Sequence, residues 1–442
     1  MKLLVSCIPY DGGKSGISVY VREVVRELAA QGHELTLLVE PGVAETDIRQ
    51  PTTDIKESEA ESRPVVGRRP SNVIFAPRWT RRAAFSMLWH LFVLPFWIRR
   101  HRRAFDGFVI CAANRRVCAW YPLPTTATVH DLANFHIPGK YSRLRMFYLA
   151  HVLPFFAKRA QHLVAVSGAT KADMVRFWHC REEDVTVLYN GVNFAFQPVD
   201  DNRQPTTDIH PIRSQPTSIL YPLSSILYIS RIEHPGKNHV RLIEAYGKLP
   251  RALAEAHPPV IAGADWKDAD IVRAAAAASP HADLIRFTGF VEDIEALWRA
   301  AGFYVFPSLF EGFGLSLVEA MARGVPCACS NNGSLGEIAA DVAITFDPER
   351  VEEIADALLR LVTEPEQDRE ARVARGMDHV KKFSWSDHAR GIVDLIGGRA
   401  AVNLFGIPVA KVTESEAVER IIAFAKAHKG SPANSPTHQL TN

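Results

Sequence analysis

The chain has 442 residues, of which 47% are hydrophobic and 23% charged, and this globular composition predicts two or three domains. A formal net charge of +2 gives no indication of a nucleic-acid partner. Six cysteines in a chain of this length are no disulfide framework and favour reduced, buried thiols in the cytoplasm.

The first residues predict the opening of a doubly wound α/β domain. The apolar run 3–8 is too short for a signal peptide and predicts a buried strand, and a glycine loop follows it. Apolar side chains at helical spacing predict a helix over about 18–31, and a second strand is expected at 34–39. This order is typical of a doubly wound sheet. Further strands are predicted at 108–111, 127–129 and 163–166.

Two segments of the first half differ from this pattern. A polar stretch at about 43–72 predicts a long loop or disordered insertion. Residues 83–98 are rich in Phe, Leu and Trp but fall short of the ~20 residues that a membrane-spanning helix needs. An interfacial helix on anionic lipid and a buried helix with solvated ends both fit this segment. The arginines that flank it are Arg78, Arg81, Arg82, Arg99, Arg100, Arg102 and Arg103.

The second half predicts another α/β domain after a polar, proline-containing linker at 196–217. Two such domains leave a cleft between the carboxyl ends of their strands, where ligands bind. The expected strands are 226–229, 260–262, 285–288, 303–306 and 326–328. The expected organisation is an N-terminal domain at 1–195, a C-terminal domain at 218–370, a helix at 371–398 that crosses back to the N-terminal domain, and a separate segment at 399–442.

The strongest chemical signal is the stretch 310–320. A predicted strand ends in a loop with Glu311, Gly312 and Gly314, and a helix begins near Leu315. The glycines let the backbone approach a ligand closely, and the free N–H groups of a helix start suit a diphosphate. Glu311 and Glu319 could accept hydrogen bonds from sugar hydroxyls. A lone Glu319 would only decorate a helix, but its spacing from Glu311 and the glycine loop favour a functional role.

A second signal is a loop with two cations, Arg231 and Lys237, directly after a predicted strand that ends at Ser230. Fixed cations in a dry cleft can neutralise the charge of a phosphate group. The alternative is an ordinary pair of surface cations.

Glu311 and Glu319, eight residues apart around the sequence Gly-Phe-Gly-Leu, resemble the signature of the family 4 retaining glycosyltransferases. This family has the GT-B fold, in which two Rossmann-like domains face each other across a cleft. The resemblance covers about residues 1–397. It implies that Glu311 contacts the donor sugar and Glu319 the ribose of the nucleotide. The loop Phe313 to Leu315 would lie against the sugar and diphosphate, and Arg231 and Lys237 would bind phosphate. The cation loop is one residue longer than the common form, and Ser230 replaces the usual glycine.

The loop 11–16 contains Gly12, Gly13 and Gly16. Its Gly-Lys-Ser sequence resembles a P-loop, but the first glycine of that motif would fall at Ile8, so the motif fails. The family resemblance implies instead that these glycines let the backbone meet the donor phosphates or the acceptor. A simple tight turn is the alternative.

Two further loops gain a role from the resemblance. His130 follows a predicted strand and would lie near the transferred sugar, with Asp131 orienting the loop or the imidazole; a buried core histidine is the alternative. Backbone groups from Asn331 to Glu337 would hold donor hydroxyls. Asp268-Ala-Asp270 resembles a metal motif of another transferase fold but is expected to start a helix.

The function expected from this resemblance is hexosyl transfer with retention of configuration, without metal or another cofactor. The donor is expected to be GDP-mannose first and a UDP-hexose next. The acceptor is a saccharide, in one version linked to polyprenyl phosphate at the inner face of the membrane. No second carboxylate is clearly placed as a nucleophile. A two-lobed sugar-binding protein without catalysis, a P-loop hydrolase and a sugar phosphorylase are the alternatives.

The tail 399–442 resembles the start of a second family, the N-acetylmannosaminyltransferases of teichoic-acid and polysaccharide assembly, through the segment 403–409. No catalytic residue of that family is present. The tail could be a truncated fusion or a docking segment, and it favours a role in exopolysaccharide or cell-surface glycan synthesis.

Overall fold

A computed structural model of the protein describes residues 1–12, 15–41, 43, 72–137, 142–192, 224–291 and 293–398. The expected linker and tail lie outside the described residues. The expected insertion also lies outside them, apart from its two end residues. So does Gly13 of the glycine loop. In the described part of the chain, no helix combines the length and the apolar character needed to cross a membrane.

The first sheet has seven parallel strands. They are β1 (Lys2–Ser6), β2 (Glu34–Val39), β3 (Asn72–Phe75), β4 (Gly107–Ile110), β5 (Thr125–Val129), β6 (His162–Ala165) and β7 (Val185–Val187). Their spatial order is β3-β2-β1-β4-β5-β6-β7. The order reverses between β1 and β4, which is where ligands of such sheets bind.

The second sheet repeats this plan with six parallel strands. They are β8 (Ser225–Ile229), β9 (Pro259–Ala262), β10 (Arg286–Gly289), β11 (Ala301–Phe306), β12 (Cys327–Ser330) and β13 (Ile344–Phe346). The order is β10-β9-β8-β11-β12-β13, again with the reversal beside the first strand. Central strands of both sheets are buried on both faces, as helices on two sides require. The predicted fold class, two doubly wound α/β domains, is confirmed.

Helices cover both sheets. Those of the first domain are Gly16–Ala30, Ala83–Leu88, Leu94–Arg100, Ala133–His136, Arg143–Phe147, Leu153–Ala157 and Gly168–Trp178, with π-helical turns at Trp89–Val93 and Tyr148–Val152 and 3₁₀ turns at Arg78–Arg81, Arg102–Ala104 and Glu182–Asp184. After β8 come His239–Tyr246, Arg251–Ala256, Ala269–Ala278, Ile294–Ala300, Leu315–Ala322, Ser334–Ala339, Val351–Thr363, Glu366–His379, Val380–Lys382 (3₁₀) and Trp385–Ile396.

The first helix shows how the local sequence sets an element. Ser15 caps Gly16–Ala30 by accepting a hydrogen bond from the backbone N–H of Ser18. One apolar face of the helix is buried, through Tyr20, Val21, Val24, Val25 and Leu28. The chain leaves the helix through Gly32, whose φ of +81° suits glycine.

Two long helical stretches, 83–100 and 143–157, lie in the connections from β3 to β4 and from β5 to β6. Each contains a π-helical turn immediately before a Leu-Pro pair, at Pro95 and Pro154. Proline lacks an N–H and its ring crowds the carbonyl four residues earlier, so a wider turn accommodates it without breaking the helix. The stretch 83–98 is therefore helical, with both buried and exposed apolar side chains.

The last helix, Trp385–Ile396, packs against the first domain. His388 lies 2.8 Å from the Tyr20 hydroxyl through Nε2. A Cβ at Gly107 would come within 2.4 Å of the Ile396 side chain. The chain thus returns to the domain in which it began.

Candidate active site

The loop after β11 carries the glycine-rich motif to the carboxyl edge of the second sheet. The helix Leu315–Ala322 begins directly after Gly314, whose φ is +98°. A Cβ there would lie 2.6 Å from the Leu335 side chain, so the position needs glycine for conformation and for space. The N-terminus of this helix therefore opens onto the end of the sheet, as an anion site requires.

Glu311 and Lys237 form an ion pair in this site. Lys237 Nζ donates to Glu311 Oε1 at 2.6 Å, and both side chains are partly buried. The Tyr228 hydroxyl donates to the Lys237 carbonyl at 2.7 Å. Asn238 Nδ2 donates to the Pro307 carbonyl at 3.0 Å. The cation loop is thus fixed to the loop that carries Glu311.

Arg231 lies in a more open setting. Its guanidinium is 5.1 Å from the ring centroid of Trp266, and its Nη2 is 3.4 Å from a carboxylate oxygen of Glu233. Trp266 is 60% exposed. The structure therefore presents a cation and an aromatic face together at the carboxyl ends of β8 and β9.

Glu319 lies one turn into the helix that begins at Leu315. Burial raises its pKa to about 7, and the nearby carboxylates of Glu295 and Glu23 act in the same direction while Arg323 opposes them. Glu23 belongs to the first helix of the other domain. A carboxyl group in this state is divided between its two protonation forms near neutral pH.

His130 and Gly312 mark the point at which the two domains meet. A Cβ on Gly312 would lie 1.7 Å from the His130 carbonyl oxygen, so no side chain fits between the two loops. Ser167 Oγ donates to the Gly312 carbonyl at 2.7 Å, and Thr170 Oγ1 donates to the His130 carbonyl at 3.3 Å. The strand end with His130 and the loop with Glu311 therefore belong to one site.

The imidazole of His130 is neutral. Burial lowers its pKa to about 4. Nε2 is 2.6 Å from the Cys111 carbonyl, which can only accept, so Nε2 carries the proton and Nδ1 offers a lone pair. Asp131 Oδ1 accepts from the backbone N–H of Ala133 at 3.2 Å and so orders the loop after β5.

The glycine loop of the first domain faces the glycine-rich motif of the second. A Cβ at Gly16 would lie 3.7 Å from Cδ1 of Leu315, the first residue of the motif helix. Gly12 has a φ of +75°. Asp11 Oδ1 accepts from Ser18 Oγ at 2.5 Å and so fastens the loop to the first helix.

Family models match both halves of the chain. Residues 14–196 match the model described as Glycosyltransferase Family 4, and residues 223–376 match the model described as Glycosyl transferases group 1. The chain belongs to the family 4 glycosyltransferases. The predicted family is thereby confirmed.

Two curated relatives of this transferase come from Escherichia coli. The O-antigen chain mannosyltransferase B is 29% identical over 266 residues, which cover 59% of this chain and 66% of that protein. The serotype-specific mannosyltransferase WbdA is 29% identical over 275 residues, which cover 61% of this chain and 32% of that protein. The chain thus spans just under two thirds of one relative and about a third of the other.

Solved structures show the same fold. Anabaena Alr3699/HepE in complex with UDP and glucose has a TM-score of 0.63 and 16% identity, with 90% of this chain and 99% of that chain covered. The sucrose-phosphate synthase of Thermosynechococcus elongatus has a TM-score of 0.66 and 17% identity, with 90% and 98% covered. The GT-B architecture of this transferase is confirmed.

Glu337 of the transferase joins the two domains, a contact that sequence reasoning missed. Its carboxylate accepts from the backbone N–H groups of Gly168 and Ala169, both at 2.9 Å, and from the Tyr189 hydroxyl at 2.5 Å. It thus caps a helix of the opposite domain. The Ser-Gly-Ala-Thr sequence at 167–170 does signal a helix start, but nothing local names its partner.

The remaining candidates lie at the edges of the site. Asn331 is exposed at the end of β12. The helix Ala269–Ala278 begins directly after Asp268, as expected. Among the described residues, no three His, Cys, Asp or Glu side chains form a group that could hold a metal ion. Trp266, which covers Arg231, had no sequence signal beyond its aromatic character.

Proposed function

We propose that this transferase moves a hexose, with retention of configuration, from a nucleotide-sugar to a saccharide acceptor in polysaccharide or cell-surface glycan synthesis. The observation that carries the proposal is the convergence of Glu311, Lys237 and the helix start at Leu315 against His130 of the other domain. GDP-mannose is the first donor to consider, because the curated relatives are mannosyltransferases. UDP-hexoses come next, because a neighbour of the same fold is complexed with UDP and glucose.

The Glu311–Lys237 pair would exchange partners when the donor binds. In the structure the two side chains neutralise each other at a distance of 2.6 Å. A diphosphate at the helix start would draw Lys237 to its oxygens, and Glu311 would then accept a hydrogen bond from a hydroxyl of the donor sugar. Charge that grows on the leaving diphosphate is stabilised by Lys237, Arg231 and the helix N-terminus.

His130 would guide the sugar rather than act as an acid. Its pKa of about 4 keeps the imidazole neutral at working pH, and Nδ1 can only accept a hydrogen bond. In the transfer step, the bond from the anomeric carbon to the diphosphate breaks and the acceptor oxygen bonds to the same face of that carbon. The acceptor proton passes to the released diphosphate, the strongest base beside it.

The first domain has a cationic and aromatic surface, and this surface favours the hypothesis that the acceptor is held at a membrane. Residues 72–105 and 142–161 contain no Asp or Glu. Their helices expose large apolar side chains, with Phe96 64% and Leu144 81% exposed. Anionic lipid attracts such cations, and the aromatic rings suit the headgroup region. A polyprenyl-linked saccharide at the inner face of the cell membrane fits this surface.

The test is donor hydrolysis and donor binding by the purified protein with GDP-mannose, UDP-glucose, UDP-galactose and UDP-N-acetylglucosamine, with and without magnesium. We expect turnover of one donor that falls roughly 10²–10³-fold in Lys237→Ala and in Glu311→Ala. Lys248→Ala, which removes an exposed cation of the same domain, serves as the matched control and should keep full turnover. Donor binding without any turnover would favour a sugar-binding protein, and no binding would overturn the site.

A further inference from the structure

A cluster of polar side chains in the first domain takes no part in the mechanism above. It consists of Glu40, His90, Asn114, Arg116 and Tyr148, and is called the Arg116 cluster below. Glu40 directly follows β2, and Asn114 and Arg116 follow β4, so all three lie at the carboxyl edge of the first sheet. His90 and Tyr148 come from the two long helical stretches, the first of which contacts Arg116 through Ser86.

Arg116 is only partly engaged. Its Nε donates to Ser86 Oγ and its Nη1 to the Arg115 carbonyl, both at 3.0 Å. Glu40 is close enough that the Arg116 charge affects its pKa, which partial burial raises. Within the residues that the structure describes, the Glu40 carboxylate makes no hydrogen bond or ion pair. A cation and a carboxylate therefore lie near each other with no hydrogen bond or ion pair between them.

Three more polar atoms of the cluster are buried without a hydrogen-bond partner among the described residues: His90 Nε2, Asn114 Oδ1 and Tyr148 OH. His90 Nδ1 is 2.8 Å from the Ser86 carbonyl, which can only accept, so Nδ1 holds the proton and Nε2 is an acceptor. Burial lowers the pKa of His90 to about 3, which keeps the ring neutral. Buried polar atoms are normally satisfied, so these three point to a missing partner.

The missing partner must both donate and accept. Arg116 and Tyr148 offer N–H and O–H donors, whereas His90 Nε2, Asn114 Oδ1 and Glu40 offer acceptors. A phosphate would satisfy the donors but meet three acceptors, and a cation would face Arg116. A hydroxyl group, like water, donates and accepts at once, so a polyhydroxy compound that displaces water satisfies the whole set.

We infer that the Arg116 cluster is the subsite that binds the hydroxyls of the acceptor sugar. The inference rests on the proposed function and names residues for its acceptor side. His130 Nε2 donates to the carbonyl of Cys111, which lies in the same loop as Asn114 and Arg116, so the subsite adjoins the place proposed for the transferred sugar.

Glu40 and Arg116 keep part of their surface in solvent, whereas the other three polar atoms are covered. The sugar therefore meets Glu40 and Arg116 first, and a change of rotamer brings in the covered atoms. Substitutions at these two positions also disturb the core least. Glu40→Gln removes the charge at constant size, and Arg116→Lys keeps the charge but removes the planar fork.

The experiment measures binding of methyl glycosides of mannose, glucose, galactose, N-acetylglucosamine and rhamnose to the full chain by saturation-transfer NMR and titration, with GDP or UDP present. We expect at least one glycoside to bind. Its Kd should rise roughly tenfold or more in Glu40→Gln and in Arg116→Lys, with a smaller change in the donor Kd. Tyr148→Phe should weaken the same glycoside less.

The matched control is Glu34→Gln. Glu34 lies at the opposite end of β2 from Glu40, so this substitution should leave glycoside binding unchanged. Three results would overturn the inference: a chain that turns over donor but binds no glycoside, equal glycoside affinity in both variants and the parent, or a larger loss of donor than of glycoside affinity. If the parent chain binds no donor, the proposed function fails and the inference falls with it.

Discussion

The two faces of the cleft differ in how their polar groups are satisfied. On the donor face, Lys237 and Glu311 pair at 2.6 Å, and backbone contacts fix the loops that carry them. On the opposite face, Glu40 and Arg116 lie near each other without bonding, and His90 Nε2 lacks a partner in the described structure. A face that recognises a shared nucleotide can be built as a fixed motif. A face that recognises a particular acceptor is assembled from distant elements.

The largest effect is expected where the two faces touch. Gly312→Ala places a Cβ 1.7 Å from the His130 carbonyl oxygen, so the domains must separate. Because a misplacement of about 1 Å can cost about a hundredfold in rate, we expect donor turnover to fall by at least that factor. Turnover kinetics and small-angle scattering measure the loss and the opening.

Gly376→Ala is the matched control for this substitution. A Cβ there has its nearest neighbour at 3.9 Å, and the residue lies inside the helix Glu366–His379. Alanine should therefore leave turnover intact and raise the free energy of unfolding by up to about 1 kcal/mol. Full activity in Gly312→Ala would show that the contact between the faces is dispensable.

What the sequence revealed differs between the faces for a physical reason. The donor loops lie within short motifs, so Glu311 and Lys237 could be named together with their expected ligand. The Arg116 cluster draws on positions 40, 90, 114, 116 and 148, and no local pattern joins them.

The same reasoning explains which parts of the fold were predicted. Buried central strands have continuous apolar runs and were found. The missed strands β3, β7 and β13 have three or four residues at sheet edges, and β3 is only partly buried, so neither length nor pattern indicates them. The contact of Glu337 with Gly168 joins residues 169 positions apart and has no sequence signal.

The cationic and aromatic side of the first domain, proposed above to meet the membrane, gives the next largest effect. Arg99 and Arg100 are exposed beside Phe96. Each arginine near an anionic surface contributes about 1 kcal/mol, so Arg99→Gln with Arg100→Gln should weaken binding to phosphatidylglycerol vesicles roughly thirtyfold. Vesicle co-sedimentation measures this. The double variant Arg299→Gln with Arg360→Gln removes the same charge from the donor domain and should bind as the parent does; equal loss in both would point to net charge alone.

On the donor face, the carboxyl group of Glu319 should make both folding stability and nucleotide binding depend on pH. Its pKa of about 7 lies above the ordinary value of a carboxyl group, so folding favours the protonated form. Its contribution to stability therefore falls as pH rises from about 4.5 to 7. If Glu319 binds the ribose, as the family resemblance implies, nucleotide binding should follow the opposite course, since only the carboxylate can accept hydrogen bonds from both ribose hydroxyls. Titration of nucleotide between pH 6 and 8 should show affinity that falls up to about tenfold per unit below pH 7. Glu319→Gln should remove the dependence; an unchanged profile would assign it elsewhere.

The smallest effect is expected at the second bridge between the domains. Glu337 accepts from two backbone N–H groups of the helix Gly168–Trp178 and from Tyr189. Replacing a helix cap typically costs about 1 kcal/mol, so Glu337→Gln should lower the free energy of unfolding by roughly 1–2 kcal/mol. Tyr189→Phe removes one hydrogen bond and should cost about 1 kcal/mol. Denaturant melts measure both. If Glu337 acts only by holding the domains together, both variants should raise the KM for donor and acceptor in the same proportion. A change confined to the donor would instead place Glu337 at the sugar.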